Sequence, residues 1–332
     1  MQRLGGNATV SKFRVACRNI IRFVAALCLI VGFAASAAVG EETDGKRYLI
    51  IHTDDAGMSH SVNRGTIDGM ENGIVSSASI MVPCPWLPEF AAYARQNPDK
   101  DYGIHLTVNS EFKGYRWRSV SPPDKVPSLL DDDGYLYHGA EEVVANARAD
   151  EVEIELRAQI ERAKEMGIPL SHLDTHMGTL LMRADLFEIY VRLGVEYNLP
   201  ILFMGNVAPE HLRQYPGLKD NLKAKEKLLR AHDLPVLDFV TMYYESGPHE
   251  ARKAHYLKVL RGLKPGLSEI IIHCGFDGPE LAAITSSHEL RDSDRRIFQD
   301  PEVIDEVKKL GIEVITWRQA HEMANTAQPV GE

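Results

Sequence analysis

Along most of this chain, short apolar and β-branched runs alternate with longer stretches in which apolar residues recur every three or four positions. The first pattern marks strands and the second marks helices. Strands are predicted at 47–53, 74–82, 102–107, 170–174, 200–204, 235–240, 268–273 and 312–317. Helices are predicted at 60–72, 87–96, 150–166, 183–197, 219–230, 249–262 and 301–310. The clearest helix is 150–166. Val152, Leu156, Ile160 and Ala163 share one face, Asp150 and Glu153 form a capping box, and Gly167 and Pro169 stop the helix.

Strands alternating with helices imply a parallel sheet. About eight such units in under 300 residues predict an α/β fold: a distorted or incomplete, TIM-like (β/α) barrel of parallel strands with outer helices. A doubly wound open sheet is the runner-up. No Gly-x-Gly-x-x-Gly follows the first strand, which removes the main support for a dinucleotide fold. A single domain over 45–325 is expected, with insertions at 108–149 and 276–300. Both insertions follow strands that carry His, so both are expected over the rim as lids or binding walls. Trp117, Tyr135 and Tyr137 in the first are either sugar-stacking platforms or packing within the loop.

The N-terminus departs from this pattern. Residues 1–22 hold Arg3, Lys12, Arg14, Arg18 and Arg22 and no acid; an apolar segment follows from Phe23 and ends in Ala35-Ser36-Ala37. This is the layout of a secretory signal peptide over 1–37, cleaved after Ala37 or Gly40. The alternative is an uncleaved anchor, but the apolar stretch falls short of the roughly 20 residues a spanning helix needs. The expectation is export to the periplasm or beyond, with no stable membrane insertion after cleavage.

Removing the first 38 residues takes away five of the 37 basic groups and none of the 47 acids, leaving 32 against 47 and a formal charge of −15. Such a surface repels phosphate backbones, so no nucleic-acid partner is expected. Cys84 and Cys274 remain, either as a disulfide or as two separate buried thiols. Oligomeric state stays open between monomer and homodimer.

Candidate chemistry gathers at strand ends. Asp54 and Asp55 close the first strand, His105 lies in Gly103-Ile104-His105, and His172, Asp174 and His176 share one face of the fourth. Residues just past a barrel strand point into the active-site mouth. Two adjacent carboxylates there repel each other unless a cation or proton intervenes, and buried unpaired polar groups cost about 1–3 kcal/mol each. One divalent metal would answer both problems and leave the second carboxylate as a base. His273, at the end of another apolar strand, suits a general acid or is a structural histidine.

The ordered set Ile51–Ser59, Val62-Asn63, Gly73–Met81, Gly103–Thr107, His172–His176 and Ile272-His273 resembles the YdjC/ChbG-like carbohydrate deacetylases over about 47–320. The resemblance implies a distorted (β/α) barrel that removes acetyl groups from N-acetylated amino sugars, with one divalent metal, Mg or Zn. It implies Asp55, His105 and His176 as metal ligands, Asp54 as catalytic base, His273 as acid, and an acetylated carbohydrate as substrate. The chain departs from the family in His52-Thr53 and Ala56 around the aspartate pair, where Asn-Ala and Phe are usual, and in Met177-Gly178, where further His residues often stand. Two rivals remain: another metal-dependent barrel enzyme acting on sugars, and a non-catalytic extracytoplasmic glycan-binding protein.

Overall fold

The computed structural model describes residues 45–219 and 221–326; the expected signal segment 1–37 lies outside them. Seven strands, β1 (Arg47–Ala56), β2 (Ser77–Ile80), β3 (Tyr102–Leu106), β4 (Leu170–Thr175), β5 (Phe239–Met242), β6 (Gly266–Ile272) and β7 (Ile312–Val314), form one sheet. The order is β4-β3-β2-β1-β6-β5, and every pairing is parallel. β6 takes one edge of β1 along its length. β7 and β2 share the other edge, β7 at Arg47–Leu49 and β2 at His52–Ala56.

Among the described residues no continuous ladder joins the two edge strands, β4 and β5. Segment 200–204 spans the gap through isolated parallel bridges, Leu173 to Ile201 and Met204 to Leu237. Leu202 N donates to Leu173 O at 3.0 Å, and Leu237 N to Phe203 O at 2.9 Å. The distorted barrel is therefore the right description, and the strand expected at 200–204 contributes bridges rather than a regular strand. The strand expected at 235–240 begins later, at Phe239, and the last strand stops at Val314.

Helices coat the outside: α1 (His60–Asn72), α2 (Leu87–Gln96), α3 (Ala140–Asn146), α4 (Ala149–Glu165), α5 (Ala184–Tyr197), α6 (Pro209–Gln214), α7 (Leu222–Ala231), α8 (His249–Gly262), α9 (Pro279–Ile284), α10 (His288–Ile297), α11 (Pro301–Lys309) and α12 (Trp317–Thr326). The capping box expected at Asp150 is not formed. α4 starts one residue earlier, so Asp150 sits in the first turn and accepts from Arg148 Nη2 at 2.9 Å. The insertion at 276–300 is mostly the helices α9 and α10, packed with Leu290, Arg291, Asp294 and Ile297 buried. Among the described residues no helix is long and apolar enough to cross a membrane.

The main core lies between sheet and helices. Leu49, Ile51, Ile104, Leu106, Leu173, Ile270 and Ile272 face outward onto helix residues such as Val62, Phe90, Leu156, Ile160, Phe187 and Leu257. Each such side chain stabilises the fold by about 1.5–3 kcal/mol. The alternate residues of the same strands point inward, and they are largely polar: His52 and Asp54, Ser77 and Ser79, His105, His172 and Asp174, and Glu269, all buried. A second cluster, Ile50, Leu237, Ile315, Trp317 and Ala320, plugs the end where the strands begin. Polar residues thus fill the barrel from that plug up to the opposite rim.

Candidate active site

Asp54 and Asp55 are neighbours in a strand, so a regular pleat would send them to opposite faces. The register of β1 against β2 slips between Thr53 and Ala56, and Asp55 adopts φ 71°. This irregularity, unusual for a residue other than Gly, lets both carboxylates reach the same space.

Asp55 Oδ1 lies 3.5 Å from His105 Nε2 and 3.5 Å from His176 Nδ1. It is buried and has no hydrogen-bond partner. Asp55 Oδ2 is taken by Arg291 Nη2 at 2.7 Å. The far nitrogen of each imidazole is tied to a carboxylate: His105 Nδ1 to Asp174 Oδ1 at 2.6 Å, and His176 Nε2 to Glu111 Oε2 at 3.0 Å. Carboxylates behind imidazoles fix ring orientation and leave the near nitrogens available to a metal. One oxygen and two nitrogens, within 4.8 Å of one another, fit a single divalent ion. Two other groupings in the same interior, His52 with His172 and Asp174, and Asp54 with His105 and Asp174, are also close enough. In both, Asp174 is already hydrogen-bonded to an imidazole of the same grouping, to His52 Nε2 at 3.0 Å and to His105 Nδ1 at 2.6 Å. The first set alone has no hydrogen bond among its own members, with Asp55 Oδ1 facing both imidazole nitrogens at 3.5 Å, and this favours it.

Asp54 lies beside this set. Its Oδ1 is 3.1 Å from His52 Nε2, and its Oδ2 is 3.7 Å from both His105 Nε2 and His273 Nε2. His273 stands at the end of β6 with its ring edge against Tyr244, centroids 4.6 Å apart. Its backbone N–H donates to Asp294 Oδ2 at 3.1 Å, and its Nδ1 has no partner. Burial pushes His273 down to about 4, so its ring is neutral near pH 7. Burial alone would raise Asp55, but the Arg291 guanidinium and His176 outweigh it and hold the carboxyl well below the usual range. Burial alone would lower His176, yet Glu111 and Asp55 lift it to about 10.

All five residues expected at the site, Asp54, Asp55, His105, His176 and His273, therefore converge. Four more were not assigned as clearly. Asp174 backs His105, as its shared strand face allowed. Of the other three, His52 carried the signal of a His inside an apolar strand, whereas Glu111 and Arg291 lie in the two insertions and carried none.

Of the aromatic residues of the 108–149 insertion, Trp117 and Tyr137 pack against the core. Trp117 is buried, donates from Nε1 to Asn109 O at 2.9 Å, and sets its edge 6.3 Å from the His176 ring. Tyr135 is flanked by the Arg116 and Arg118 guanidiniums at 5.2 and 5.1 Å from its ring centre. Cys84 and Cys274 are separate, buried and free.

A family model described as YdjC-like protein matches residues 48–309. A protein of Thermus thermophilus named carbohydrate deacetylase is 34% identical over 278 residues, covering 84% of this chain and 95% of the relative. A carbohydrate deacetylase of Thermoanaerobacter pseudethanolicus is 30% identical over 258 residues, covering 78% and 93%. A crystal structure from Enterococcus faecalis V583, of a protein described as a candidate for cellobiose-phosphate cleavage, superposes with a TM-score of 0.69. At 24% identity, over 82% of this chain and 98% of that one, it speaks to fold alone. With most of its length matched by that model, this chain belongs to the YdjC-like family.

Proposed function

We propose that this protein is an exported, metal-dependent deacetylase that hydrolyses the acetamide of N-acetylated amino sugars or their oligosaccharides. The observation that carries the reading is the buried, unpartnered Asp55 Oδ1 facing two imidazole nitrogens, with a second carboxylate, Asp54, alongside. A non-catalytic glycan binder has no need of that second carboxylate. The curated relatives of similar length are named carbohydrate deacetylase, which supports the same chemistry.

Asp55, His105 and His176 would hold one divalent ion, Mg or Zn. Such an ion, when bound, polarises an acyl oxygen and makes water a better nucleophile near neutral pH. The chain's own residues do the rest. Asp54 takes a proton from the water that attacks the acetyl carbon. His273 enters neutral, and its Nε2, 3.7 Å from Asp54 Oδ2, can receive that proton and deliver it to the departing amine. General acid–base steps of this kind contribute about 10²–10⁴-fold. Acetate and a free amino sugar leave. Asp174 and Glu111 keep the two imidazoles oriented, and the buried walls limit competing water. The basic stretch before Phe23 and the Ala35-Ser36-Ala37 stop support export.

The test is acetate release by metal-reconstituted protein across N-acetyl and O-acetyl sugars. N-acetyl substrates should release acetate, and chelation should stop it. No release from any of them, with metal bound, would reject the reading.

A further inference from the structure

One buried side chain at this site has no place in the mechanism above. His52 sits on the inward face of β1, two residues before Asp54, at a barrel position usually given to branched apolar side chains. It is fully enclosed, and polar groups meet it on every side. Ser77 Oγ is 3.1 Å from Nδ1 and Ser79 Oγ is 3.1 Å from Nε2. Nε2 is also 3.0 Å from Asp174 Oδ2 and 3.1 Å from Asp54 Oδ1, and Glu269 Oε1 lies 3.7 Å from Nδ1. Asp54 and Asp174 belong to different strands and serve different ends, one beside the ligand set and one behind His105. His52 Nε2 is the atom that touches both.

We propose that His52 is a positioning residue: one imidazole, hydrogen-bonded to the Asp174 carboxylate and in 3.1 Å contact with the Asp54 carboxylate, sets the metal-facing nitrogen of His105 and limits how the base can turn. This rests on the metal-dependent deacetylase reading. The argument is geometric. Among the described residues the hydrogen bonds to the Asp174 carboxylate come from two rings, His105 at Oδ1 and His52 at Oδ2. Removing the His52 bond frees the carboxylate to rotate about its χ2 torsion, a soft rotation for Asp. The 2.6 Å bond to His105 Nδ1 then loosens, and His105 Nε2 loses its fixed aim at Asp55 Oδ1. On the other side, Asp54 Oδ1 loses the ring it rests against at 3.1 Å, so the carboxylate gains room to turn. Both effects follow from one side chain. Ser77 and Ser79, from the adjacent β2, hold the ring in the plane that makes the double contact.

The test uses His52→Asn, with His52→Gln as a second variant should the first fail to fold, and Asp174→Asn as a reference that breaks the same link from its other end. Three quantities are read. The first is Zn²⁺ affinity of the metal-free protein, by chelator competition with the metal alone. The second is the proton resonance of His105 Nδ1–H in ¹⁵N-labelled protein, which a short bond to carboxylate shifts far downfield and protects. The third is the split of kcat and KM on the best acetylated substrate. His52→Asn is expected to weaken Zn²⁺ binding about 10–100-fold, the range for partners behind a metal ligand. It should also shift or broaden the His105 proton signal, and lower kcat with KM little changed. His52→Asn combined with Asp174→Asn should weaken Zn²⁺ binding by less than the product of the single effects, since both cut one link. Wild-type Zn²⁺ affinity together with an unmoved His105 proton in the His52 variant would overturn the proposal. Failure of the deacetylase reading looks different: wild-type protein would release no acetate, while the Zn²⁺ and proton readouts would still report on His52.

Discussion

Arg291 Nη2 donates to Asp55 Oδ2 at 2.7 Å, joining α10 to the end of β1 across 236 residues of chain. Both partners are buried. The bond occupies one carboxylate oxygen and leaves Oδ1 to face His105 and His176. It also offsets the burial of a carboxylate in a strained, positive-φ position. Replacing Arg291 with Met removes one partner of a buried pair, which typically costs about 3–5 kcal/mol. Urea unfolding of the metal-free Arg291→Met variant should show a loss of that size, and added divalent metal should recover part of it. A variant within about 0.5 kcal/mol of wild type would mean that the ion pair contributes little to either fold or site.

Asp54 is expected to be separable from the metal. It is not one of the donors nearest the Asp55 oxygen, and its Oδ2 stands 3.7 Å from both His105 and His273. Asp54→Asn preserves shape but cannot accept a proton. Metal content after dialysis should stay near wild type while kcat falls by about 10²–10⁴-fold, the span attributed to general bases. Turnover near wild type would remove Asp54 from the proton-accepting role.

His105→Ala and His176→Ala should each lose metal, since each leaves two donors where a stable site takes three from the protein. Elemental analysis after dialysis reads this directly. Glu111→Gln should be milder, because it weakens only the carboxylate behind His176, 3.0 Å from Nε2. The expected drop in affinity is about 10–100-fold. Stoichiometric metal in both alanine variants would break the ligand assignment.

Much of this was legible in the chain, and the rest was hidden for identifiable reasons. Strand ends carrying Asp or His pointed to the five converging residues, because catalytic side chains in barrels come from that rim. The slip at Asp55 was not legible: two adjacent carboxylates say nothing about which face each takes. Arg291 was hidden because its helix reads as a charged loop, Arg-Asp-Ser-Asp-Arg-Arg, and only packing shows that Arg291 and Asp294 point inward while Asp292 and Arg296 form an outer pair at 3.0 Å. The segment 200–204 has strand composition yet makes only single bridges, since tertiary context decides ladder length. At α4 the Asp150–Glu153 spacing matched a cap. Its charges instead went to Arg148 and Arg157, at 2.9 and 2.7 Å, because the helix began one residue sooner.

Gly103 is required by an approach too close for any side chain. A Cβ there would lie 2.3–2.5 Å from three atoms of the His172 ring. That ring has no room to retreat: it stacks on Trp317 at 5.3 Å and 19°, and meets the His52 ring edge-on at 5.0 Å. Gly103→Ala should therefore destabilise by at least the roughly 1–3 kcal/mol of an overpacked core. It should also disturb His105 two residues on, so metal affinity and urea midpoint should fall together. A urea midpoint equal to wild type would show that the ring moves freely.

Burial dominates the titration of both Cys84 and Cys274. Thiolate is the reactive form, and burial in apolar surroundings suppresses it. Burial raises Cys274 to about 12, although the Thr53 hydroxyl beside it works the other way. Burial, with Glu111 and Asp55 adding negative charge nearby, holds Cys84 well above the usual thiol range. The sign follows: a raised thiol pKa means that lowering pH cannot activate these groups, and at pH 8 both stay overwhelmingly as thiols. Alkylation followed by peptide mapping should find both positions unmodified in native protein at pH 8, and both modified in guanidinium. Raising the pH to 9 multiplies the thiolate tenfold, yet labelling should still be limited by the rate of opening. Rapid native labelling at either position, or a disulfide between them under oxidant, would contradict the enclosed, separate thiols seen here.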